Sequence, residues 1–228
     1  MSKLRLSSNL INQNKILTNI NLVWKTAVHQ SFIPEIREGK HYIGATLTSV
    51  GTNAYLFGGL SRKLFNQISL LKFNNLQINS DIELFQWEDF NNENFTVLPI
   101  SRFGHCSVVY EDNILIFGGA GRYYKTTKSR LCFNDLFIFR TNIMQWEEIK
   151  VRGPIFIEAR HHHAGCIIGK HLLIHGGIND QGKYLDDVYI SNITKFQINK
   201  NIRWTNIITK NNQPPKMAYH NCCLVLES

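Results

Sequence analysis

The chain has 228 residues, 43% of them hydrophobic and 18% charged, with 25 basic against 17 acidic side chains and a formal net charge of +8. That apolar content at so low a charge per residue excludes a disordered protein, and no stretch approaches the ~18 consecutive apolar residues a spanning helix needs. What remains is a folded, basic chain able to bury a core as one domain or two small ones.

Residues 1–20 carry Lys3, Arg5 and Lys15 and no acidic residue. They lack the apolar core and cleavage site of a secretory signal, and their asparagines fit an organelle transit peptide poorly, so a flexible basic arm is expected. LVWKTAV (22–28) then reads as a lone strand around Trp24. From there the chain repeats itself. Diglycines follow apolar strands in AYLFGGL (54–60), ILIFGGA (114–120) and LLIHGGI (172–178), at Gly58-Gly59, Gly118-Gly119 and Gly176-Gly177. Trp24, Trp87, Trp146 and Trp204 recur at similar intervals, and His105 and His163 each stand 13 residues before a diglycine. Arg102 and Arg160 open the Arg-x-x-His pattern, of which Met217-Ala-Tyr-His220 keeps the histidine. Three markers in constant phase establish a repeat.

Each unit reads as four short strands. In the second these are HCSVVY (105–110), ILIFGG (114–119), DLFIF (135–139) and MQWEEI (144–149), with a long polar loop before the third. In the third they are AGCIIG (164–169), LLIHGG (172–177), DDVYIS (186–191) and IRWTNI (202–207). The first unit departs from the pattern: Ala45 takes the histidine position, and QISLLKF (67–73) lacks the acidic start of its counterparts. No segment holds a 3.6-residue apolar period, so the expected fold is all-β, with radial four-stranded units.

The diglycines, the DLFIF and DDVYI third strands, the spaced tryptophans and the opening Pro99-Ile-Ser-Arg102-Phe-Gly-His105 resemble kelch repeats over about residues 21–228. The resemblance implies a β-propeller with blades at about 42–92, 102–150 and 160–210 and the start of a fourth at 217–228, HNCCLVLE (220–227) being its innermost strand. Rings of this type close with about six or seven blades. Three blades and two stray strands make an incomplete ring, so the reading is a fragment of a longer chain or a half-ring completed by a partner.

Function is less specific than fold. The stretch AGRYYKTTKSRLCFN (120–134) gathers Arg122, Lys125, Lys128 and Arg130 with Tyr123 and Tyr124 and no acid before Asp135, a composition suited to an acidic or phosphorylated segment of another protein. For Arg102 and Arg160 two roles stay open: the resemblance implies that arginines line a peptide pocket on this face, and each could instead bond a neighbouring blade. His161, His162, His163, His171 and His175 invite a metal reading, but adjacent strand residues point to opposite faces, so no metal or other cofactor is expected. Five cysteines without a CxxC pair indicate reduced thiols rather than a disulfide framework. The expectation is a non-catalytic protein-interaction scaffold or adaptor, cytoplasmic or cytoskeletal and without a membrane segment. The alternatives are a propeller enzyme with a metal site or a basic nucleic-acid-associated protein, although the charge is scattered outside one loop and the arm.

Overall fold

The computed structural model describes residues 42–73, 85–194, 196, 201–208 and 214–224. The arm at 1–20, the strand at 22–28 with Trp24, and residues 225–228 lie outside them.

The first blade is an antiparallel sheet in sequence order, β1 (Thr46–Val50), β2 (Asn53–Phe57), β3 (Ile68–Phe73) and β4 (Phe85–Asp89). The second contains β5 (Cys106–Tyr110), β6 (Asn113–Tyr124), β7 (Ser129–Arg140) and β8 (Gln145–Val151). The third is built from β9 (Ala164–Ile168), β10 (His171–His175) and β11 (Val188–Asn192), while β12 (Asn201–Ile202) and β13 (Thr205–Asn206) divide its last segment. β13 completes the third blade against β11, whereas β12 adds a parallel strand to the second blade at Lys150 and Val151. The single strand expected over 202–207 is therefore broken. Between its halves Trp204 turns into the core, 4% exposed, and the Arg203 carbonyl accepts the Ser191 hydroxyl at 2.9 Å.

Strand alternation builds the seams. On β6, Leu115 and Phe117 enter one core cluster with Leu172, Ile174 and Trp204 of the third blade. Ile114 and Ile116 point the other way, into a cluster with Tyr55, Phe57 and Ile68 of the first blade. A middle blade thus buries both faces of its strands, which is why ILIF shows no polar alternation. The tryptophans close the same seams: Trp146 lies 4.9 Å from Phe57, and Trp204 lies 5.5 Å from Phe117, centroid to centroid. Trp87 is half-buried and belongs to neither cluster.

A second difference concerns the loop expected at 120–134. It is a β-hairpin: β6 runs on to Tyr124 and β7 starts at Ser129, with Tyr123 paired to Arg130 and Tyr124 to Ser129. The pairing is irregular between Phe117 and Gly119 and between Ala120 and Tyr123, so the hairpin bends where it leaves the blade. Its polar composition masked the strands, since both faces of the tip meet solvent and no apolar alternation is required there.

Residues 214–224 form no strand ladder among the described residues, yet they dock on the third blade. Gly177 donates its N–H to the Met217 carbonyl at 2.7 Å, and Tyr219 donates to the His162 carbonyl at 2.9 Å. The first repeats the bonds of the earlier seams, where Gly59 donates to Arg102 and Gly119 to Arg160, both at 2.8 Å; the second repeats those of Gly104 to Gly44 and His162 to Gly104. The first glycine of each pair is as constrained. Gly118 has φ +63°, and a Cβ there would stand 2.8 Å from the Arg160 carbonyl oxygen, so glycine is required for blades to approach this closely.

Candidate functional site

Arg102 and Arg160 are both 0% exposed. The Arg102 guanidinium donates to both carboxylate oxygens of Asp135, at 2.5 and 2.8 Å, and to the Gly118 carbonyl at 2.9 Å, while its Nε donates to the Ile100 carbonyl. Arg160 repeats the arrangement on Asp187, Gly176 and Glu158 at the same distances. These side chains clamp the opening of a blade to its own second and third strands. Their backbones bond the preceding blade, Arg102 N–H to the Phe65 carbonyl and Arg160 N–H to the Phe133 carbonyl, each at 3.0 Å. The pocket-lining role is thereby corrected: a fully enclosed guanidinium with its donors engaged has nothing to offer a partner. The first blade has Tyr42 and Gln67 at the equivalent positions and lacks both halves of the clamp.

The repeat histidines are buried beside these clamps. His105 accepts or donates a 2.8 Å hydrogen bond with Thr46 Oγ1 of the first blade. Burial, then the neighbouring Arg102 charge, hold its pKa down at about 3. His163, 5% exposed, is pushed well below the usual histidine range by burial and then by Arg160. Both are neutral seam residues. Their neighbours differ: His161 and His162 share a 2.5 Å contact between Nδ1 atoms, and among the described residues no group of three or more His, Cys, Asp or Glu side chains is arranged to hold a metal ion.

The outward-facing chemistry sits on the hairpin. Arg122, Tyr123, Tyr124, Lys125 and Lys128 are exposed, and none of these cations has a carboxylate partner among the described residues. Arg130 reaches inward from β7, its guanidinium 4.9 Å from the Phe103 ring and 5.6 Å from Tyr123. Tyr123, Lys128, Ser129 and Arg130 form one wall of a groove of about 470 Å³; the other wall is the turn Asn179–Gly182 of the third blade, with Asp180 its one acidic lining residue. That turn is fixed from within, since Asn179 Oδ1 accepts the N–H groups of Gln181 and Lys183 and its amide donates to Glu158. One wall is therefore rigid and one is a projecting hairpin.

Beside the groove lies a ring of blade-opening residues. Gly44, Gly104, His162 and Tyr219 occupy equivalent repeat positions and all have positive φ, at 67°, 62°, 53° and 60°. Successive members are bonded, Gly104 N–H to the Gly44 carbonyl at 2.8 Å and His162 N–H to the Gly104 carbonyl at 2.6 Å. In two blades the left-handed backbone carries a side chain, at a cost of the order of 1 kcal/mol each. Those side chains meet: the His162 and Tyr219 rings lie 4.0 Å apart, and His162 is 5.5 Å from Phe103. Arg130 lies close enough to depress His161 and His162, in each case after burial. Phe103 and Tyr219 were not singled out by the sequence; for Tyr219 a signal exists, since the residue before the repeat histidine position is glycine in two units and bulky in two.

Similarities to known proteins follow the same lines. A family model described as the KLHDC2/KLHL20/DRC7 Kelch-repeats domain matches residues 7–228. Kelch domain-containing protein 3 of Homo sapiens is 26% identical over 191 residues, covering 82% of this chain and 47% of that protein. An F-box/kelch-repeat protein of Arabidopsis thaliana is 27% identical over 142 residues, covering 60% of this chain and 28% of its own length. The chain thus spans about half or less of the length of these relatives. Among solved structures, that of YjhT superposes with a TM-score of 0.54 at 16% identity, covering 76% of this chain and 54% of YjhT, which speaks to the fold alone. The repeated blades, the arginine–aspartate clamps at their openings and the family match agree: this chain belongs to the kelch-repeat β-propeller family.

Proposed function

We propose that the chain is a non-catalytic protein-interaction module, a scaffold or adaptor, and that it takes an acidic or phosphorylated segment of another protein into the groove between the β6–β7 hairpin and the Asn179–Gly182 turn. The observation that carries the reading is Arg130, held by the faces of Phe103 and Tyr123 at the edge of the groove with no carboxylate partner among the described residues. A guanidinium fixed by aromatic faces loses little freedom when an anion docks, and a carboxylate or phosphate can bond it in two places. Lys128 and Ser129 supply further donors on the same wall, and Tyr123 an apolar face. The membership of the kelch family, whose domains serve as interaction surfaces, supports the same reading.

A fluorescence-anisotropy titration with an acidic peptide and its phosphoserine counterpart tests the proposal. Reversing Arg130 and Lys128 to glutamate is expected to weaken binding at least tenfold, with steep salt dependence in the parent. Equal affinity in parent and variant removes the groove from the account. Generic RNA or DNA bound more tightly than either peptide favours the nucleic-acid alternative.

A further inference from the structure

Two repeat positions face each other across the seams between blades, and at two of the three seams their side chains touch. Counting from the repeat histidine position, they are the third residue after it in one blade and the second residue after it in the next. At the first seam these are Thr48 and Ser107, whose hydroxyls lie 2.6 Å apart. At the second they are Val108 and Gly165, with no polar pair. At the third they are Cys166 of β9 and Cys222 of the docked terminal segment, with sulfurs 2.9 Å apart and both cysteines free. The geometry that closes the hydroxyl pair thus recurs independently in the thiol pair.

From this placement we infer that Cys166 and Cys222 form an oxidative cross-link site, at which hydrogen peroxide or a comparable two-electron oxidant joins the third blade to the segment docked on it. The chemistry balances. The half-buried Cys222 sulfur attacks one peroxide oxygen and the O–O bond breaks, giving a sulfenic acid and a first water. The Cys166 sulfur then displaces hydroxide from the sulfenic sulfur. Its thiol proton leaves with that hydroxide as a second water, so two thiols are oxidised as one peroxide is reduced. The order follows from exposure. Cys166 is 7% exposed, and burial, then its hydrogen bond with Cys222, push its thiol pKa upward, so it resolves rather than initiates. Cys106, also pushed up to about 12 by burial, rests against Gly165 and is not bonded to the pair. The link would reinforce a segment otherwise tied to the third blade by backbone bonds at Met217 and Tyr219 and by the 2.9 Å contact of His175 with His220.

The test is peroxide treatment of the folded chain, alkylation of remaining thiols and mass spectrometry of the digest. A peptide pair joined through Cys166 and Cys222 is expected, two hydrogens lighter than its reduced halves. It should disappear in Cys222→Ser and persist in Cys106→Ser and Cys223→Ser. The melting temperature should rise on oxidation in the parent and stay fixed in Cys222→Ser. Oxygen uptake at Cys222 without a link, or a link from Cys222 to Cys223 or to a second copy of the chain, overturns the inference.

Discussion

An arginine with no exposed surface and a carboxylate that is 24% exposed make an unequal pair, and the inequality predicts what mutation does. Removing Arg102 leaves Asp135 able to take up water, but it also leaves the Gly118 and Ile100 carbonyls without a donor. Arg102→Ala is expected to cost about 3–5 kcal/mol in urea unfolding, and Arg102→Lys a large part of that, since a lysine cannot span both oxygens and both carbonyls. A loss below about 1 kcal/mol in both variants would contradict the clamp. The seam histidine beside it predicts a pH dependence. His105 stays neutral in the folded chain down to about 3, while the unfolded chain takes up its proton near 6.5. The unfolded state therefore binds more protons in this window. Its contribution to stability is complete above about pH 6.5 and is lost as the pH falls toward 3, by up to about 1.4 kcal/mol per pH unit. His105→Gln should lessen the slope of the urea-midpoint profile between pH 6.5 and 4, the remainder belonging to the other depressed histidines such as His163, and an unchanged slope would show that His105 does not contribute. The clamp itself was half legible in the sequence. The recurring arginine and the acidic start of the third strand were each visible, and both were missing from the first unit, but their partnership was not, because 33 and 27 residues separate the partners.

The strands were legible where a seam forced them to be apolar and illegible where it did not. ILIF and DLFIF are buried on both sides between neighbouring blades, so composition marked them without ambiguity. Beyond Gly121 and before Phe133 the hairpin leaves the blade, its residues become polar on both faces, and the ladder through Tyr123 and Arg130 left no periodic trace. The same physics predicts that the hairpin tip is expendable for folding. Replacing residues 123–130 by a two-residue turn should shift the melting temperature by less than about 4 °C, because none of the removed side chains is buried, while abolishing peptide binding. A large stability loss would show that the tip supports the blade. The strand at 202–207 misled for the opposite reason. Its apolar residues answer to two blades, so Ile202 joins the core of the second-blade seam while Thr205 and Asn206 pair with β11.

Across the molecule, each seam repeats one pattern of contacts with different residues, and the differences locate chemistry that the repeat itself does not need. Glycine suffices at Gly44 and Gly104 in the blade-opening ring, whereas His162 and Tyr219 sit there in left-handed backbone and stack beside Arg130 and Phe103. The repeat period made the architecture readable from residues alone; the groove was not, since it joins a hairpin of one blade to a turn of the next and depends on where Arg130 points. That groove is the centre of the functional reading, and amide hydrogen exchange of the chain with and without the tightest acidic or phosphorylated peptide tests it most directly. Slowed exchange is expected over the β6–β7 hairpin and residues 179–182, extending to Phe103 and His162. Protection on the opposite face, around Glu111 and Thr141, with the hairpin unchanged would contradict it.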